Sequence, residues 1–193
     1  MHYPAEETCQ KKIITIPNIL SFLRLCLIPV MVWLYCFEEN YTATTLVLLL
    51  SGLTDIADGI IARRFHMVSD FGKAFDPVAD KLTQAVMLLC LLSRFPAMGV
   101  PLAVLAVKEI GAGITGLVAI RKTGTVLGAA WHGKAATVCL YTMMAAHLIW
   151  PRIPAVLSYM LIGLCTALLV VSAVLYGLRY IRFLGSWDRE GAE

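Results

Sequence analysis

Apolar windows, set apart by Pro, Gly or clusters of charge, fall over Ile19 to Phe37, Thr42 to Arg63, Pro77 to Leu92, Pro101 to Ile120, Gly133 to Trp150 and Ala155 to Tyr180. Most approach the roughly 20 residues needed to cross a bilayer as an α-helix, and a helix satisfies every backbone N–H and C=O within its own segment. Composition agrees: 59% of the 193 residues are hydrophobic and only 15% are charged, against about 25% charged in soluble domains. The mean hydropathy is +0.77. The expectation is an all-α integral membrane protein with six transmembrane helices. It forms one domain over residues 1–193, with 1–15 as a cytoplasmic N-terminal segment and 183–193 as a cytoplasmic tail. The third window is short and its limits are the least defined.

The opening MHYPAEETCQKK has Glu6 and Glu7 beside its lysines and no small-residue cleavage site after a short apolar core, so it does not read as a signal peptide. Cys9, Cys26, Cys36, Cys90, Cys139 and Cys165 form no C-x-x-C and read as packed small residues, neither disulfide-bonded nor zinc-binding. Lys11, Lys12, Arg63, Arg64, Lys73, Arg121, Lys122, Lys134, Arg179, Arg182 and Arg189 gather on one side, and the opposite loops hold Arg94 and Arg152. The positive-inside rule therefore places both termini in the cytoplasm of a multi-pass cell-membrane protein. Trp33, Tyr41 and Trp150 fall near the outer boundaries, where interfacial aromatics collect.

Against this background the acidic residues stand out. Asp55 and Asp58 lie in TDIADGIIARRF, and Asp76 and Asp80 in AFDPVADKLTQ. A carboxylate near a bilayer centre costs about 2.5–3.5 kcal/mol to insert, less at its edge. The first pair is three residues apart and the second four, so each pair shares a helix face. Two neighbouring helices can aim all four carboxylates at one point on the cytoplasmic side. Pro77 suits a first helical position, with Asp76 as its N-cap. Hard carboxylate oxygens with no His or Cys among them suit Mg²⁺, Mn²⁺ or Ca²⁺, and two ions in such a cluster serve displacement at phosphorus. Gly59, Ala62 and Gly72 leave room for a ligand, and Arg63 and Arg64 add a cationic rim for phosphate. A single intramembrane Asp can equally be a helix–helix hydrogen-bonding group, and a divalent-cation transporter would also place carboxylates in the membrane. A transporter should spread them along a pathway, whereas here they cluster at one end.

From Asp55 the chain reads D-x-x-D-G-x-x-A-R, eight residues, then G-x-x-x-D-x-x-x-D. This resembles, without a gap, the signature of the CDP-alcohol phosphatidyltransferases. The resemblance implies a six-helix membrane fold that transfers a phosphatidyl or similar group from a CDP-linked lipid to an alcohol and releases CMP. It implies that Asp55, Asp58 and Asp76 ligate metal, and that Asp80 is the catalytic base and touches a metal too. Gly59, Ala62 and Gly72 would line the cytidine pocket, and Arg63 would hold the diphosphate. The cofactors implied are Mg²⁺ or Mn²⁺, as two ions.

TIPNILSFLR, Thr15 to Arg24, resembles the family's entry into its first helix. Asn18 there either contacts the nucleotide or caps the helix, and Arg24 either snorkels to the surface or serves a phosphate. KEIGAGITGLVAIRKTG and WHGKAAT resemble the matching regions of bacterial phosphatidylglycerophosphate synthases within the family. That ranks glycerol 3-phosphate first as acceptor, ahead of phosphatidylglycerol, as in a cardiolipin synthase, and of an inositol phosphate. Lys108, Arg121, Lys122 and Lys134 are the candidate acceptor-binding residues, while Lys108 with Glu109 can instead be a neutralised pair stitching helices. Lys108 stands where those synthases usually have Arg, and Ala136 where a second Lys commonly follows Gly-Lys. The expected partners are CDP-diacylglycerol, the acceptor, membrane lipids and a second copy in a homodimer, with no nucleic acid.

Overall fold

The computed structural model describes residues 16–64, 70–123 and 131–190. Among these the chain forms α1 (Ile16–Cys36), α2 (Tyr41–Arg64), α3 (Asp70–Leu92), a 3₁₀ turn (Pro96–Met98), α4 (Gly99–Thr123), α5 (Trp131–Ile149) and α6 (Ala155–Glu190). The described residues contain no strand. Each apolar window of the sequence is thus a helix. Among the described residues three stretches are long and apolar enough to cross a membrane, Ile19–Cys36, Pro96–Ala119 and Ala155–Arg182. α2 is apolar over Tyr41–Ala57 before its charged end.

α1 packs chiefly on α2 and α3, and α6 on α4 and α5; the two sets meet where α2 lies against α5 and α3 against α4. The buried core is made of Met31, Leu48, Met87, Leu88, Leu140 and Met144 with their neighbours. The outward surface is just as apolar: Leu46, Leu53, Val107, Leu117, Val156 and Ile181 are all exposed. Buried polar groups, among them Ser21, Arg24, Ser51, Asp80, Thr83 and Gln84, lie inside the bundle. An apolar exterior around a partly polar interior is what a bilayer selects, because lipid gives polar groups no partner. Helical threonines meet this demand locally. Thr44, Thr45 and Thr83 donate to the carbonyls of Asn40, Tyr41 and Ala79 at 2.9, 2.7 and 2.9 Å.

The connection from α1 to α2 is tight. Asn40 Oδ1 accepts from the Ala43 N–H at 3.0 Å and caps α2, while Glu39 takes a left-handed conformation, φ 50°. Arg94, in the neighbouring connection, sits 5.0 Å over the Tyr41 ring. Trp33 and Trp150 are half exposed at this same end.

The start of the third helix differs from expectation. α3 begins at Asp70, so Pro77 is inside it and Asp76 is not an N-cap. Proline removes one N–H and clashes with the carbonyl four residues back. Pro77 stands seven residues past the start, beyond the first turn in which a missing N–H costs nothing. Asn18 likewise falls inside the first turn of α1 rather than ahead of it, which removes its reading as a cap. The thiols of Cys26, Cys36, Cys90, Cys139 and Cys165 are free; Cys9 is outside the described residues.

Leu48 has no exposed surface, whereas Leu46, two residues earlier on α2, is 64% exposed. Leu48→Ala is expected to destabilise by about 2–5 kcal/mol, measured by thermal unfolding in detergent. Leu46→Ala, facing outward, should change stability by under about 0.5 kcal/mol.

Candidate active site

The signature spans the charged ends of α2 and α3. Asp55 and Asp58 are on α2, Asp76 and Asp80 on α3, all four in helical backbone as the spacing requires. Gly59, Ala62 and Arg63 also belong to α2, Gly72 to α3 and Asn18 to α1. The side chains of Asn18, Asp58, Gly59, Ala62, Arg63, Gly72 and Asp76 lie outside the described residues, as does that of Lys122. Geometry is therefore defined at Asp55 and Asp80, one on each helix.

Asp55 meets Arg24. Arg24 Nη1 lies 3.0 Å from Asp55 Oδ1, with the guanidinium side chain fully buried and the carboxylate 41% exposed. Of the two readings open for Arg24, surface snorkelling is overturned. Burial leaves the guanidinium no water, and the Asp55 carboxylate is among the partners that replace it. It ties α1 to the site and leaves part of Asp55 open to an incoming ligand.

Asp80 is held on both oxygens. The Tyr141 hydroxyl on α5 donates to Oδ1 at 3.0 Å, and Gln84 Nε2, one turn along α3, donates to Oδ2 at 2.8 Å. Lys81 Nζ stands 3.6 Å from the same Oδ2. Tyr141 is also within electrostatic reach of Asp55 and Arg24. α1, α2, α3 and α5 thus converge on one polar locus.

A second run of charge leads from there to α4 and α6. Glu109 Oε1 binds Lys81 Nζ at 3.3 Å and Lys108 Nζ at 2.9 Å. Lys108 lies 5.9 Å over the Tyr176 ring, which in turn meets the His132 ring edge-on at 4.6 Å. His132 Nδ1 is 3.2 Å from Ser172 Oγ. A Cβ at Gly133 would stand 2.7 Å from the Tyr176 hydroxyl, so a larger residue there would displace the Tyr176 ring. The pair Lys108 and Glu109 therefore stitches α4 to α3 through Lys81. Arg121 and Lys134 are exposed and are not drawn into this chain of contacts.

Sequence reasoning missed Gln84, Lys81 and Tyr141. The first two were within reach of it: Lys81 follows Asp80 directly, and Gln84 is a polar residue one turn away in an apolar run. Tyr141, 61 residues from Asp80, depends on the packing of α5.

The sequence that carries this locus is matched by a family model. The family model of the CDP-alcohol phosphatidyltransferases covers residues 14–178. The chain belongs to that family.

Among curated relatives, it is 38% identical over 99 residues to a CDP-diacylglycerol–glycerol-3-phosphate 3-phosphatidyltransferase of Pseudomonas fluorescens, covering 49% of this chain and 51% of that one. A protein of the same description from Rickettsia typhi is 34% identical over 96 residues, 49% of this chain and 54% of its own. A CMP-forming cardiolipin synthase of Streptomyces coelicolor is 42% identical over 76 residues, 37% of this chain and 35% of its own. The matched region spans about half the length of the two glycerol-3-phosphate relatives and a smaller share of the third.

Removing the carboxylate from a fully buried guanidinium has a predictable cost. Asp55→Asn is expected to destabilise the protein in the presence of a chelator by at most about 3–5 kcal/mol, the 41% exposure of Asp55 reducing the loss. Thermal unfolding of the variant against the parent protein measures it.

Proposed function

We propose that this protein transfers a phosphatidyl group from CDP-diacylglycerol to an alcohol with release of CMP, with glycerol 3-phosphate as the acceptor. The observation that carries the reading is Asp80, a buried carboxylate held on both oxygens inside the region that matches the family. In this reading Asp80 takes the proton of the acceptor hydroxyl. The acceptor oxygen then bonds to the lipid-side phosphorus as the bond to the CMP oxygen breaks. Arg63 binds the diphosphate, and Asn18, Gly59, Ala62 and Gly72 lie along the nucleotide.

Asp55, Asp58, Asp76 and Asp80 would hold Mg²⁺ or Mn²⁺, as two ions. The half-open Asp55 and the hard oxygen donors of the locus fit such ions. When bound, they neutralise the diphosphate and the charge that builds on the leaving CMP. The basic residues of the sequence orient the site and both termini toward the cytoplasm, where glycerol 3-phosphate is dissolved, while the acyl chains stay in the bilayer. Lys108, Arg121, Lys122 and Lys134 are the candidate cations for an acceptor phosphate, and the protein works as a homodimer in the cell membrane.

A second acceptor, phosphatidylglycerol, is favoured by one observation. Lys108 is buried and already bonded to Glu109, and Ala136 is buried where a lysine would add charge. An acceptor with a phosphodiester rather than a phosphomonoester needs less positive charge.

Purified protein incubated with CDP-diacylglycerol, Mg²⁺ or Mn²⁺ and each acceptor in turn should release CMP fastest with glycerol 3-phosphate. No CMP from folded protein with any acceptor would overturn the enzyme reading, and release only with phosphatidylglycerol would reassign the acceptor. Asp80→Asn is expected to bind CMP as the parent protein does and to lose turnover by roughly 100-fold or more. Substantial turnover in that variant would remove Asp80 as the base.

A further inference from the structure

We propose that Tyr141 and Gln84 are positioning residues that fix the Asp80 carboxylate in its reactive orientation; this rests on the reading of Asp80 as the base. A carboxylate with one anchored oxygen still turns about its terminal bond. Here Tyr141 anchors Oδ1 at 3.0 Å from α5 and Gln84 anchors Oδ2 at 2.8 Å from within α3. The plane of the group is thereby set by two helices at once. Each oxygen keeps a lone pair for a substrate proton or a cation.

Both anchors are uncharged. They orient Asp80 without cancelling its charge, which an ion pair at the same distance would do. Among the described residues the cation paired with Asp80 is shared: Lys81 Nζ is 3.3 Å from Glu109 and 3.6 Å from Asp80.

Gln84 is poorly explained by packing alone. It is fully buried, and among the described residues its Oε1 has no hydrogen-bond partner. An apolar side chain of similar shape would fold there at less cost, since an unpaired buried amide oxygen is unfavourable. What Gln84 adds is the N–H that reaches Asp80. Tyr141 is seated as firmly, because its ring lies along α2 where a Cβ on Gly52 would stand 3.4 Å from Cε1. The phenol is thus a strut from the α2 backbone, near Asp55, to the carboxylate on α3.

The test uses the full chain in detergent with Tyr141→Phe and Gln84→Met. We expect each to lower kcat roughly 10- to 100-fold, as misplacement of a reacting group by a fraction of an ångström to 1 Å does, with KM and CMP affinity within about twofold. Gln84→Met should keep or raise the thermal midpoint while losing turnover, which a merely structural glutamine would not do. In an Asp80→Asn background neither substitution should lower the residual rate further. Parent-like kcat in both variants beside an inactive Asp80→Asn would overturn the positioning role alone. So would losses that follow KM or the thermal midpoint instead of kcat. An active Asp80→Asn would overturn the base reading and this inference together.

Discussion

A charge inside an apolar bundle has to be answered by a group from somewhere else in the chain, and this constraint organises the packing around the site. Arg24 on α1 meets Asp55 on α2. Tyr141 on α5 meets Asp80 on α3, and Lys81 on α3 meets Glu109 on α4. Lipid is as apolar as leucine, so burying leucine between helices does little to choose which helix lies beside which. Polar contacts choose it, because the alternative is an unpaired group in hydrocarbon. The same contacts that specify the bundle also set the geometry of its candidate reaction centre.

The division of labour along α2 and α3 follows from this. Their apolar parts pack on α1 and add Leu48, Met87 and Leu88 to the common core. Their other ends hold the aspartates, and there Arg24, Gln84 and Tyr141 replace apolar packing with directed bonds. Directed bonds fix angles as well as distances, which is what proton transfer and phosphate displacement require. Glu109, held by two lysines, extends the polar locus toward α4 and α6 without leaving a bare charge.

Much of this was legible from residue order. The helices follow from window length, and the placement of the aspartates follows from spacings of three and four that survive in α2 and α3. The inside of α3 was less legible: Pro77 suggested a beginning, yet the helix starts at Asp70, because the preference of proline for a first turn is a local tendency that context overrides. Arg24 was left between two roles by sequence, since an arginine in an apolar run has a long stem that can reach either way. Its burial against Asp55 decides which way it turns.

Residue order alone says that the chain is helical, that it suits a bilayer, and that its carboxylates, glycines and an arginine stand at the spacing of the CDP-alcohol phosphatidyltransferases. Those are properties of short segments, where periodicity and local composition suffice. Which side chains hold Asp55 and Asp80 emerges from the packing of the helices. Tyr141 and Asp80 are 61 residues apart, and Arg24 and Asp55 belong to different helices. Contacts of that kind depend on how helices rotate and pack against one another, and no local pattern records that rotation.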